Sequence, residues 1–284
     1  MADRLPTAPP EAAPPAGSLA EFVRRHDPDR FLCALFAPAA RREALFALLA
    51  YNHELARARE AARTPMVALM RLQWWRDAVE EAAAGRLPRR HEVAEPLAEA
   101  VRDGRLDAAD LLAMADAREA EADEEDAIPT ASAFAAYLRG TAGSLAVAVG
   151  RLLGAPAGAM PGLQQRGTAY GAAGVLRAVP ALARQGRCLL PADVLAAHGL
   201  SAAKVIRDPA APALKGVAAE VLAADELRAP SAERVPPEWI AAALPAVLAR
   251  RDGKRLASAG VVAAPARTTG DRLAVTMAAL LRRA

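Results

Sequence analysis

Apolar residues recur at three- and four-residue intervals along nearly the whole chain, the spacing of one face of an α-helix. Between Thr64 and Gly85, Leu69, Leu72, Trp75 and Val79 share a face, Thr64-Pro65 supplies a cap and a first-turn proline, and Gly85 supplies the stop. Trp74 and Trp75 are adjacent, so they point about 100° apart and at most one is central to that face. Upstream, Ser18 caps a helix LAEFVRRH, and Asp27-Pro28 opens a second, DRFLCALF, that ends at Pro38. Pro38 then sits in the first turn of a helix reaching about Ala61. Downstream, HEVAEPLAEAVRD is interrupted by Pro96, and Thr130 caps a long helix in which Gly140, Gly143 and Ala146 lie three apart and permit a close crossing. The pattern predicts a further long helix from Gln164 to about Arg184, closed by a tight turn and a Leu-Leu-Pro step. Helical segments at PADVLAAHG, SAAKVIR, 209–228, 237–251 and 270–283 complete the chain. No alternating strand pattern, internal repeat or strand–helix–strand unit interrupts this series, so the expectation is one all-α bundle of roughly ten helices over 18–284.

Composition agrees. Hydrophobic residues make up 54% of the chain and aromatics only 4%, with Ala, Leu and Val carrying the apolar content, which favours helices over strands. Residues 1–17, MADRLPTAPPEAAPPAG, are rich in Pro and Ala without an apolar core, so they read as a disordered tail rather than a signal peptide. No run approaches ~18 uncharged apolar residues, and no transmembrane helix is expected. The 36 basic and 33 acidic residues leave a net charge of +3, which gives no case for a nucleic-acid partner. Arg-rich helix ends such as Arg250-Arg251 and Arg282-Arg283 suit the negative end of the helix dipole. Cys33 and Cys188 match no metal or redox spacing and suit a reducing compartment.

Candidate chemistry is sparse. The run AREAEADEEDAIP holds Glu119, Glu121, Asp123, Glu124, Glu125 and Asp126, but acids at consecutive positions point around a helix rather than converging, so a solvated helix end fits better than a metal site. His26, His53, His91 and His198 share no ligand spacing and read as surface or capping residues. Nucleophile-elbow, dinucleotide and phosphate-loop motifs are absent.

Two helices carry the remaining signal. On the first, Leu49-Ala50-Tyr51 leads to His53, Ala56, Arg57 and Glu60; on the second, Gly167 and Ala169 lead through Gly171, Gly174 and Leu176 to Arg177, Ala178, Ala181 and Leu182, and then to Gly186-Arg187 and Leu190-Pro191. In spacing the two resemble the paired active-site helices of the squalene/phytoene synthase family, whose patterns are Y/F-A-F-x-R-x-x-D-D-x-x-D and G-x-A-x-Q-L-x-N-I-x-R-D-x-x-E-D followed by R-x-G-R-x-Y-L-P. There the carboxylates clamp Mg²⁺ over a diphosphate leaving group. Here Ala56, Arg57, Ala178, Ala181 and Leu182 stand at five of the six carboxylate positions and Glu60 alone remains, so a retained scaffold with a lost clamp is implied. Asp29-Arg30-Phe31-Leu32-Cys33, Tyr51-Asn52-His53-Glu54-Leu55-Ala56 and Leu69-Met70-Arg71-Leu72-Gln73-Trp74-Trp75 are similar to the branch of that family that includes a mitochondrial assembly factor of respiratory complex I.

The resemblance implies an all-α isoprenoid-synthase-type bundle and a non-catalytic protein aiding complex I assembly. The implied partners are a complex I subunit and an isoprenoid or lipid ligand, and the implied location is the cytoplasm or the inner face of the membrane. Tyr51, Glu54, Arg57, Glu60, Arg177 and Arg187 are the residues expected to touch a ligand, with Glu54, Arg57, Glu60 and Arg177 at the cavity mouth. No cofactor is expected. The alternative is a divergent prenyltransferase joining two allylic diphosphates, which alone would need Mg²⁺ and in which Arg57 and Arg177 would grip phosphate directly.

Overall fold

A computed structural model describes residues 18–62, 64–122, 128–261 and 267–284; the stretch 1–17 and the acids Asp123, Glu124, Glu125 and Asp126 lie outside the described residues. Among the described residues the helices in chain order are α1 (Ser18–His26), α2 (Pro28–Ala34), α3 (Ala39–Glu60), α4 (Pro65–Ala83), α5 (Ala94–Arg102), α6 (Ala108–Ala117), α7 (Ala131–Leu138), α8 (Ser144–Leu152), α9 (Met160–Arg184), α10 (Ala192–Ala197), α11 (Ala202–Arg207), α12 (Leu214–Ala223), α13 (Ile240–Ala243), α14 (Pro245–Ala259) and α15 (Thr269–Leu280). Extended pairing among them is limited to two isolated bridges, Ile128 with Pro191 and Arg234 with Arg283. The expected all-α architecture is the one observed.

Local chemistry explains most boundaries. The side chains of Asp27, Thr64, Thr130 and Ser201 each accept a backbone N–H of the first turn they precede, and Thr268 and Asp271 form a reciprocal capping box at α15. The chain after α4 turns at Gly85 and the chain after α9 at Gly186, both at positive φ (71° and 70°), where glycine is free of Cβ strain.

Four expectations are corrected by proline placement. Pro96 does not interrupt a helix, because α5 starts at Ala94 and Pro96 occupies its first turn, where an N–H would lack a helical partner. The long helix begins at Met160 rather than Gln164, with Pro161 accommodated in its first turn. Pro209 and Pro212 hold the next segment in turns until Leu214. Pro245 divides the predicted 237–251 helix into α13 and α14.

α7 and α8 form one rod interrupted by a π turn, Arg139–Gly143. The small residues predicted to allow a crossing do so. A Cβ on Gly143 would lie 2.7 Å from Thr168 Oγ1 of α9, and one on Gly140 2.7 Å from Ala117 Cβ of α6. Two large apolar cores result, beside a small cluster of Ala62, Ala68 and Ala122. One gathers α1–α6, α8, α13, the first half of α14 and α15 around Leu48, Tyr51 and Leu111; the other gathers α7, α10–α12 and Leu256 of α14 around Phe134, Leu195 and Val217. α9 contributes Leu163 to the first and Leu176 to the second, so it runs along both.

Candidate functional site: a cleft between α3 and α9

α3 and α9 flank one cleft of about 280 Å³. α3 contributes Asn52, His53, Ala56 and Glu60; α9 contributes Tyr170, Gly171, Gly174, Val175, Ala178 and Leu182. At about 100° per residue, positions 52, 53 and 60 fall within about 60° of Ala56, whereas 51 and 54 fall on the far side of α3 and 57 about a quarter-turn away. On α9 the same count places 171, 174, 175 and 182 beside Ala178 and turns 177 about 100° off.

The expected ligand residues divide accordingly. Glu60 and Arg187 line the cleft, as do the motif positions Ala56, Ala178 and Leu182. Four residues expected at the ligand site do not line this cleft. Tyr51 is fully buried on the opposite side of α3, where its hydroxyl donates to the Leu111 carbonyl at 2.8 Å. Glu54 and Arg57 pair with each other at 3.3 Å outside the cleft. Arg177 turns toward Asp252 (3.3 Å) and Asp29 (3.7 Å), in a network with Arg267 that ties α2, α9 and α14 together. Ala181, the remaining motif position, is exposed at the edge of the cleft face and does not line it.

Residues not singled out by the motifs complete the wall. The π turn supplies Thr141 and Ala142, the end of α1 supplies His26, the cap of α2 Asp27 and α2 itself Arg30, and a 3₁₀ turn after α6, Arg118–Glu121, supplies its two terminal charges. Glu121 is 8% exposed, which corrects its assignment to a solvated helix end. Its carboxylate accepts from Arg118 (2.5 Å), Arg187 (3.2 Å) and the Tyr137 hydroxyl (2.8 Å). Burial alone would raise its pKa; the adjacent Arg118 and Arg187 guanidinium groups outweigh burial and hold it below the usual carboxylate value. Arg118 also reaches Asn52 Oδ1 at 3.3 Å. Two guanidinium groups thus converge on one carboxylate, while over the whole lining Arg30, Arg118 and Arg187 face Asp27, Glu60 and Glu121. Across the cleft Arg30 pairs with Asp27 at 2.8 Å and lies over the Tyr170 ring, 4.6 Å from its centroid. At the rim the His26 and His53 rings stack at 4.5 Å, and burial together with His26 and Arg57 lowers the His53 pKa to about 4. Sequence carried one usable signal for the wall, the Arg118–Glu121 spacing of three, which the surrounding acids obscure.

The donor set does not fit a divalent clamp. Asp27 is taken by Arg30 and by its cap, and Glu121 by its three donors, which leaves Glu60. Among the described residues no three His, Cys, Asp or Glu side chains converge, and Mg²⁺ requires several hard oxygens. Beside the cleft, and sharing Arg30, Ala142 and Tyr170 with it, runs a narrow apolar cavity of about 30 Å³ walled by Cys33, Ala34, Leu49, Val149 and Pro245. The combined space is at the low end of the range for one small ligand.

A profile of the squalene/phytoene synthase family matches residues 23–278. The chain belongs to this family. Its resemblance to solved members of the squalene/phytoene synthase fold extends over nearly the whole chain. A dehydrosqualene synthase superposes with a TM-score of 0.66 at 14% identity, covering 93% of this chain and 95% of that one. Squalene synthase HpnC from Alicyclobacillus acidocaldarius gives 0.62 at 15% identity over 93% and 92%. At such identities the likeness speaks for the fold alone. The bovine and human proteins named NADH dehydrogenase (ubiquinone) complex I, assembly factor 6, are each 31% identical over 188 residues, 66% of this chain and 56% of theirs. The Drosophila melanogaster homolog is 29% identical over 192 residues, with 66% and 57% covered. The chain therefore spans a little over half the length of these curated relatives. Among the described residues no helix is long and apolar enough to cross a membrane.

Proposed function

We propose that this squalene/phytoene synthase family member binds rather than condenses: it holds one isoprenoid or lipid with an anionic head in the α3–α9 cleft and serves the assembly of respiratory complex I from the inner face of the membrane. One observation carries the reading. Four of the six motif positions, Ala56, Glu60, Ala178 and Leu182, face a single cleft, yet three of them stand there without carboxylates, and the buried acid of that cleft, Glu121, is neutralised by Arg118 and Arg187. Such a wall attracts a phosphate or carboxylate head without a metal, and Leu138, Val175, Leu182 and Leu189 give the tail an apolar bed. The likeness to complex I assembly factor 6 supports the partner. The test is NADH:quinone oxidoreductase activity in membranes from a deletion strain. Activity should fall and return with the wild-type copy while terpenoid content stays constant; intact activity overturns the assembly role.

A second reading, a divergent prenyltransferase, draws on the same arginines: Arg30, Arg118 and Arg187 line the cleft and carry the guanidinium group that pairs with phosphate, whereas Arg57 and Arg177 point elsewhere. It requires that purified protein with Mg²⁺ or Mn²⁺ convert farnesyl or geranylgeranyl diphosphate. The binding reading expects no product, and turnover by the wild-type protein would reverse the order of the two.

A further inference from the structure

The last helix carries an apolar face that nothing in the described chain covers. Leu273, Met277, Leu280 and Leu281 recur at i, i+4, i+7 and i+8 of α15 and are 58%, 43%, 68% and 63% exposed. Val275 and Ala279, on the other side, are buried where α15 packs against α14 and α2. Four large apolar residues on one exposed face differ from the scattered single ones a soluble surface ordinarily carries.

Charge surrounds this face. Arg272 lies in the first turn of α15, Arg282 and Arg283 follow its last turn, and the antiparallel bridge to Arg283 holds Arg234 beside them. All four are exposed, and the ion pairs among the described residues include none of them. The acid of α15, Asp271, is buried and taken by Arg251 and Arg255, so no exposed carboxylate interrupts the helix. Arg282 adopts φ 54°, the left-handed conformation that glycine takes at a helix end without strain. The chain keeps an arginine at that position despite the conformational cost.

We propose that this face docks the protein on a membrane containing anionic lipid, with Leu273, Met277, Leu280 and Leu281 entering the interface and Arg234, Arg272, Arg282 and Arg283 meeting headgroup phosphates. The occupant follows from complementarity: guanidinium groups outside any ion pair rim an apolar helix face, which is the counterpart of an anionic lipid surface. With 12 residues α15 is too short to span a bilayer and lies along the interface. α15 also packs on α2 and α14, the helices that supply Cys33, Ala34 and Pro245 to the apolar cavity beside the cleft, so docking brings the apolar end of the site toward the lipid. The inference deepens the membrane location in the reading above and rests on that location alone.

The test is co-sedimentation of the purified full chain with phosphatidylcholine vesicles, with and without phosphatidylglycerol. Binding is expected only where phosphatidylglycerol is present. It should weaken by about tenfold or more in Leu280→Ser/Leu281→Ser, and by about fivefold for each charge removed in Arg282→Gly and Arg283→Gln. All these positions are exposed and Arg282→Gly relieves the backbone, so unchanged thermal melts are expected to accompany the loss. Equal binding to pure phosphatidylcholine, no binding to either vesicle, or binding that survives the leucine and arginine variants overturns the proposal. A dimer that dissociates in Leu280→Ser/Leu281→Ser without any vesicle binding also overturns it and gives the face to a second copy. The oxidoreductase assay reads the assembly role separately, so a negative vesicle result with a positive deletion phenotype removes the docking surface and leaves that role intact.

Discussion

Gly167 and Gly174 stand about two turns apart on α9 and face opposite demands. A Cβ on Gly167 would press on the Ala142 carbonyl and lie 2.6 Å from Ala146 Cβ, so the α8–α9 crossing requires glycine there. A Cβ on Gly174 would meet nothing within 4 Å, because that position opens into the cleft. Denaturant unfolding should separate them: Gly167→Ala costs about 1–3 kcal/mol through overpacking, while Gly174→Ala gains about 0.5–1 kcal/mol from helix propensity. The reverse order would contradict the crossing and the cleft alike. Both glycines fall at motif positions readable in the sequence, Gly167 matching the pattern and Gly174 standing where it has Asn, but the reason for each is not. One is fixed by a neighbouring backbone and the other lines empty space, and spacing along a single helix contains neither fact.

Among elements, the pairing of α3 with α9 was legible because each carries its own periodic pattern. Which side of each helix faces the cleft followed from counting turns, and that count moves Tyr51, Glu54, Arg57 and Arg177 away from the cleft. The 3₁₀ turn was not legible. Glu121 gains its meaning from Arg187, 66 residues later, and from the Tyr137 hydroxyl of α7, so three elements meet on one carboxylate that the sequence presents as part of an acidic run. Removing it should be costly. Glu121→Ala leaves two mostly buried guanidinium groups without their partner and is expected to destabilise by about 3 kcal/mol in denaturant titrations, against less than about 0.5 kcal/mol for the exposed Arg57→Ala. The pH dependence follows from the same site. Glu121 has a folded pKa below its ordinary 4.5, so its contribution is complete above that value and is lost as pH falls through the folded pKa; Glu121→Gln should remove that part of the acid sensitivity. An alanine variant as stable as wild type would mean that the carboxylate is not the link between these elements.

At the scale of the whole molecule, periodicity and caps were enough for an all-α bundle, and the family match and structural likeness agree with it. The two cores were not legible, because helical repeats report that a face is buried but not against which partner. α9 runs along both cores, and the cleft opens along that helix, walled by Tyr170 from the first core and Tyr137 and Leu138 from the second. The apolar face of α15 was overlooked for a related reason: its spacing is that of any core-facing helix, and only the fold reveals that Val275 and Ala279 face inward while its leucines do not.

The arginine wall around Glu121 also sets the terms on which the cleft meets its surroundings. Charge supplied by a bound ion is borrowed, and it varies with the supply of that ion and with anything that competes for it. Charge supplied by Arg118 and Arg187 is translated with the chain and is present from the moment of folding. It cannot be chelated or exchanged, and it does not depart with a product. The charge of the cleft is therefore constant where that of a metal site is conditional.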